Sequence, residues 1–223
     1  MFENCTSLAG VTLPNGLLST GDYTFSGCAS LTNIIIPNSV TNIGFSAFFR
    51  CTSLTCLTLP DSVAFIESGA FGGCAHLSQV TILGDLTLIG EGAFAGCTDL
   101  TGFFCAGNAP GLVGTFVFDG TPNVTLYYLP GVTGWDTTFP GIPTALWLPQ
   151  AQTTSANFGG QTNQFGFNIA WASGQTVVVE ACTNLFNSVW QPVWTNTLTG
   201  DSAGFTDPQW TNFSSRFYRV RSQ

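Results

Sequence analysis

The sequence predicts a mainly β chain in two parts: a solenoid of 23-residue coils over residues 1–149, then a small β-sandwich-like module over 164–223. Three observations carry this. Cysteine stands at positions 5, 28, 51, 74 and 97, and phenylalanine at 2, 25, 48, 71 and 94, every step being 23 residues. Each block then continues with leucine and two alternating apolar positions, the spacing of a short half-buried strand. From residue 164 the fixed interval gives way to period-two alternation between turn residues.

The five blocks share the pattern F-x-x-C-x-x-L-x-x-φ-x-φ, where φ is apolar, followed in most by P-N/D-x-φ-x-x-I-G. Pro14, Pro37 and Pro60 precede Asn15, Asn38 and Asp61, which mark the turn off each strand. A single coil of this length cannot bury its apolar side chains, so the Phe, Cys, Leu and Ile positions must stack on those of neighbouring coils. At about 4.8 Å per strand, five coils make a rod roughly 24 Å long.

The period and the L-x-x-φ-x-φ signature are those of leucine-rich repeats. Over about residues 1–110 the blocks resemble the BspA-like (Treponema-type) class of bacterial leucine-rich repeats. That resemblance implies a leucine-rich-repeat solenoid with strands on a concave face. It also implies a secreted or cell-surface protein associated with adhesion.

Residues 106–149 lose the register and are read as an atypical C-terminal cap. Phe118 opens a sixth block, Val124 to Tyr128 supply its strand, and Trp135, Phe139 and Trp147 supply bulk without repetition. Residues 150–163 are polar, uncharged and glycine-containing, which predicts a linker. Beyond it, strands are expected at Phe165–Ile169, Thr176–Ala181, Trp190–Trp194 and Arg216–Arg221. The stretches VVVEACTNL, FTDPQW and RFYRVRS resemble a small β-rich module of secreted multidomain bacterial proteins.

Composition excludes several functions. There is no lysine, and Arg50, Arg216, Arg219 and Arg221 face twelve carboxylates, for a net charge of −8. Nothing displaces counterions from phosphates, so no nucleic-acid or anionic membrane partner is expected. No apolar run approaches the roughly 20 residues that span a bilayer, so no membrane insertion is expected either. Met1-Phe2-Glu3-Asn4 offers neither the basic start nor the apolar stretch of a signal peptide. The acid is uneven: residues 1–149 hold nine carboxylates and one arginine, and residues 150–223 hold three of each.

Catalytic and metal chemistry find little support. The lone histidine, His76, occupies the turn position of Ser7, Ser30 and Ser53, and reads as a surface residue. No G-x-S-x-G context exists for a nucleophile. Asp22 and Glu91 share a register but lie three coils apart, too far for a glycosidase pair. Zinc needs four convergent ligands, whereas a 23-residue interval spreads Cys5, Cys28, Cys51, Cys74 and Cys97 along the rod. Those five read as a buried ladder of small hydrophobes, with Cys105 also in the core. Cys56 and Cys182 are expected to face outward as free or crosslinking thiols. The chain is read as non-enzymatic, with no catalytic residue, metal or cofactor.

A candidate ligand surface remains. The strand positions between buried residues form two outward rows: Gly10, Asn33, Cys56, Gln79, Gly102, and Thr12, Ile35, Thr58, Thr81, Phe104. They are uncharged and mostly polar. Asn33, Ile35, Cys56, Thr58, Gln79, Thr81 and Phe104 are the candidate contacts for a protein or glycan ligand, although threonine rows also suit any solvent-facing sheet. A second surface is the first coil, which begins inside the repeat grammar. Phe2, Leu8, Val11 and Leu13 would meet either lost upstream residues or another copy of the chain, in which case the subunit assembles head to tail. An extracellular or cell-surface binding module leads, self-assembly follows, and a hydrolase stands third.

Overall fold

A computed structural model describes residues 2–152, 158–161, 164–184 and 189–223. The chain divides into two compact units, Met1–Leu146 and Trp147–Gln223.

In the first unit the strands are β1 (Asn42–Ile43), β2 (Cys56–Leu59), β3 (Phe65–Ile66), β4 (Gln79–Ile82), β5 (Leu88–Ile89), β6 (Gly102–Cys105), β7 (Leu112–Val113), β8 (Thr125–Tyr128), β9 (Thr138–Phe139) and β10 (Ile142–Leu146). β1 to β8 alternate between two sheets, as a chain winding through successive coils must, and β9 and β10 both join the second of them. The short sheet runs β1-β3-β5-β7 and the long sheet β2-β4-β6-β8-β10-β9. Pairing is parallel from β2 to β10, and only β9 returns antiparallel.

The register follows the sequence interval. Cys56 pairs with Gln79, and Gln79 with Gly102, while Thr58, Thr81, Phe104 and Tyr127 share another row. Beneath them the phenylalanines stack face to face. Centroids of Phe25, Phe48, Phe71 and Phe94 follow one another at 5.2, 5.2 and 5.3 Å, and Phe118 continues the column at 5.9 Å. Each thiol donates to the carbonyl of the phenylalanine 26 residues earlier, Cys28 to Phe2, Cys51 to Phe25, Cys74 to Phe48 and Cys97 to Phe71, at 3.1 to 3.3 Å. The cysteine therefore fills a small apolar slot and also satisfies a backbone acceptor.

Those four thiols are buried, but Cys5 is exposed because its coil has a neighbour on one side only among the described residues. Burial pushes the Cys51 and Cys97 thiols up to about 12 and raises Cys28, Cys74 and Cys105, with adjacent thiols adding at Cys51 and Cys74. They stay protonated and act as packing groups.

Two corners of each coil are left-handed. One column reads Tyr23, Ser46, Gly69, Gly92, Phe116, with φ between 48° and 64°. The other reads Asn4, Gly27, Arg50, Gly73, Gly96, Gly120, with φ between 57° and 74°. Glycine takes six of these eleven places, four of them in the second column, because a Cβ crowds the backbone at positive φ.

The closing part of this unit uses aromatic bulk. Trp135 lies 5.9 Å from Tyr128 and 4.9 Å from Phe139, and its Nε1 donates to the Gly107 carbonyl at 3.1 Å.

The second unit contains β11 (Gln150–Gln152), β12 (Gly159–Gln161), β13 (Gln164–Ala170), β14 (Thr176–Cys182), β15 (Gln191–Thr197), β16 (Ser202–Asp207) and β17 (Phe217–Ser222). One sheet has β13 between β16 on one side and β11 and β12 on the other; the second runs β15-β14-β17. All of these pairings are antiparallel. Phe205 of β16 meets Tyr218 of β17 at 5.7 Å and Trp194 of β15 at 5.9 Å, so the two sheets face each other as a sandwich.

The stretch expected as a linker thus holds β11 and β12, which pair with β13; its residues 153–157 and 162–163 lie outside the described residues. Cys182 corrects an expectation. It is 5% exposed at the end of β14, where it pairs with Phe217 of β17 and continues a run, Val177 to Cys182, that is buried throughout.

Candidate binding cleft on the long sheet

The outward positions of the long sheet carry no charge: β2 is CLTL, β4 QVTI, β6 GFFC and β8 TLYY. In β2, Cys56 and Thr58 are exposed while Leu57 and Leu59 are buried, the alternation that one solvated face demands. Gln79 is exposed and Thr81 half-buried.

Further along the sheet the surface becomes aromatic. Phe104 and Tyr127 stack at 5.0 Å with planes 14° apart. Gly102 has no side chain because the Phe104 ring takes its space; a Cβ there would sit 2.5 Å from that ring.

In the second coil, Asn33 and Ile35 are exposed and Ile34 and Ile36 buried, so the segment alternates as a strand does without joining the ladder that starts at β2. Between this segment and β2 lies a cleft of about 240 Å³. Asn33, Ile35, Cys56 and Thr58 line it, so four of the seven residues expected to contact a ligand come together. Gln79, Thr81 and Phe104 lie outside its walls.

Leu83 also lines the cleft and is 43% exposed; sequence reasoning passed over it. The signal was available, since Leu83 stands where Pro14, Pro37 and Pro60 stand in other blocks. Ile35 is 78% exposed, and the lining mixes the apolar Ile34, Ile36 and Pro60 with hydrogen-bonding groups of Asn33, Asn38 and Thr58. A volume near 240 Å³ is below the roughly 300–1,000 Å³ of sites that enclose a whole small molecule. It holds one side chain or one sugar ring.

The remaining candidates are separate from it. Phe2 is 43% exposed and stacks on Phe25 at 5.6 Å, and Leu8, Val11 and Leu13 are half-buried against the core. His76 Nδ1 lies 2.9 Å from Asp99 Oδ2 in the next coil, both side chains being more than half exposed. Among the described residues no three His, Cys, Asp or Glu side chains converge as a metal site requires. No helix among them is long and apolar enough to cross a membrane.

The model of the BspA type leucine rich repeat region matches residues 1–125 in six copies. Three solved structures are similar. A leucine rich cell surface protein from Faecalibacterium prausnitzii A2-165 is 34% identical with a TM-score of 0.50, over 57% of this chain and 34% of that one. The leucine rich repeat protein of T. pallidum is 36% identical with a TM-score of 0.49, over 55% and 57% of the two chains. A leucine-rich repeat protein from Bacteroides ovatus ATCC 8483 is 26% identical with a TM-score of 0.49, over 58% and 36%. The chain thus spans from about a third to just over half of the length of these relatives. No curated protein matches it. With residues 1–125 matched and the stacked coils seen directly, the chain belongs to the BspA-type leucine-rich repeat family, generally a non-enzymatic repeat scaffold.

Proposed function

We propose that this chain is a non-enzymatic binding module of an extracellular or cell-surface protein, adhesive in role, which presents the long sheet to a protein partner. The cleft between the second coil and β2 carries the reading, because a partly apolar hole of this size beside the uncharged strands matches a partner that inserts a single side chain. The rim favours protein over glycan: Ile35 and Leu83 offer apolar contact, whereas a sugar ring asks for more hydrogen-bonding groups. Surface placement is supported by the family and by the cell-surface protein among its structural neighbours.

The test is a screen of the purified chain against matrix proteins and glycans, followed by Ile35→Asp and Leu83→Asp on any binder found. Each variant should weaken binding at least about tenfold, the effect of 1.4 kcal/mol, with the far-ultraviolet spectrum unchanged. Unchanged binding in both folded variants would sink the assignment. A second reading, self-stacking through Phe2, Leu8, Val11 and Leu13, rests on the exposed face of Phe2. Light scattering checks it: growth of mass with concentration in the parent chain, abolished by Phe2→Asp, is the expected result.

A further inference from the structure

We infer that the opening between the two sheets of the C-terminal unit binds a small monocarboxylate with a flat apolar body. A cavity of about 510 Å³ lies there, within the size range of small-molecule sites. Phe165, Phe167 and Tyr218 wall it, and Phe158, 42% exposed, lies at its rim. The Phe165 and Tyr218 rings are parallel, 4.8 Å apart and 3° from coplanar. These two rings stack on each other, so a planar apolar group packs against the ring surfaces they leave open and against Phe158 and Phe167.

Arg216 supplies the polar end. It lines the same cavity, and its side chain is 11% exposed. Its Nε donates to Asp207 Oδ2 at 2.7 Å, and its guanidinium lies 4.2 Å over the Phe213 ring. Asp207 is fully engaged: Oδ1 accepts the Gln209 N–H at 2.9 Å, and Oδ2 also accepts the Tyr218 hydroxyl at 3.0 Å. Asp207 therefore fixes the guanidinium through one nitrogen. Among the described residues, no hydrogen bond is made by either Nη of Arg216. The two Nη groups keep accessible surface, and a carboxylate matches them in plane.

Arg216, Arg219 and Arg221 face Asp207 and Glu180, with Glu180 held by Arg219 at 2.6 Å and by Arg221 at 3.0 Å. The three arginines of residues 150–223 are balanced by Glu180, Asp201 and Asp207, so the ligand is recognised by the planar guanidinium fork together with the apolar walls, and inorganic phosphate, which has no apolar body, cannot use both. Nothing here depends on the binding role of the long sheet.

The experiment titrates the full chain by calorimetry with phenylacetate, its neutral amide phenylacetamide, and inorganic phosphate. Phenylacetate should bind with Kd below about 1 mM, and the amide and phosphate at least about tenfold more weakly. Arg216→Lys keeps the charge but loses the planar fork, and should weaken phenylacetate about tenfold. Because a change at Arg216 alone leaves Asp207 buried without its partner, Arg216→Gln with Asp207→Asn serves as the second variant and should abolish binding. The proposal is overturned by equal affinity for acid and amide, by phosphate binding as tightly as phenylacetate, or by no phenylacetate binding up to about 10 mM. Unchanged affinity in the folded double variant overturns it equally.

Discussion

Phe71→Ala isolates the stacking that holds the solenoid together. Phe71 is fully buried, with Phe48 at 5.2 Å and 1° on one side and Phe94 at 5.3 Å and 8° on the other. Truncation removes the buried ring and leaves a hole that rigid coils above and below cannot close, a loss of about 3–5 kcal/mol. Phe2→Ala is the internal control, since Phe2 has the same place in its coil but one ring neighbour and 43% exposure. Full burial of a phenylalanine stabilises by about 1.5–3 kcal/mol, so the partial burial of Phe2 predicts a loss of about 1–2 kcal/mol. The readout must belong to the solenoid alone, because the two units need not unfold together. Cys28, Cys51, Cys74 and Cys97 provide it: pulse labelling of these buried thiols in urea, read by mass spectrometry, gives each coil its own unfolding curve. The expected difference of about 2 kcal/mol is roughly a thirtyfold change in the unfolded fraction. Equal costs for the two substitutions, or a Phe71→Ala cost below about 1.5 kcal/mol, would refute the stacked-column account.

Three other predictions use the same molecule. Gly73→Ala, at φ 72° with the new Cβ 3.1 Å from Arg50 Cγ, should destabilise by about 1 kcal/mol or more, whereas Ser46→Gly, at φ 48°, should be neutral or stabilise by up to about 1 kcal/mol; urea midpoints check both. In the native chain at pH 8, maleimide should label Cys5 and Cys56 within minutes and spare the six buried thiols, and early labelling of Cys182 would contradict its place on β14. Hydrogen bonds from Arg221 and Arg219 hold the Glu180 carboxyl below its usual range, so its stabilisation of the C-terminal unit is present above about pH 4.3 and is lost as pH falls below that. A thermal melt series from pH 7 to 3 should show this decline, reduced in Glu180→Gln.

Much of the architecture was legible because the repeat writes it directly. Side chains at one interval stack, so the Phe and Cys columns, the register Cys56–Gln79–Gly102 and the outward row Thr58–Thr81–Phe104 all follow from counting by 23. The strands β13, β14, β15 and β17 were legible from alternation. β12 and β16, GGQ and SAGFTD, were not, because glycine-bearing segments have little strand propensity of their own and are held by their pairing with β13. Cys182 was misplaced because alternation implies one open face, whereas Val177 to Cys182 of β14 are buried on both faces.

The sequence alone determined the coil, its period, its buried columns and an uncharged outward face, since a fixed interval forces like residues onto one another. Only the tertiary structure decided that the second coil stands off from β2 far enough to open a cleft, and that Arg216 meets a cavity walled by Phe165 and Tyr218. Both depend on distances between segments far apart in the chain, which packing sets and no local pattern encodes.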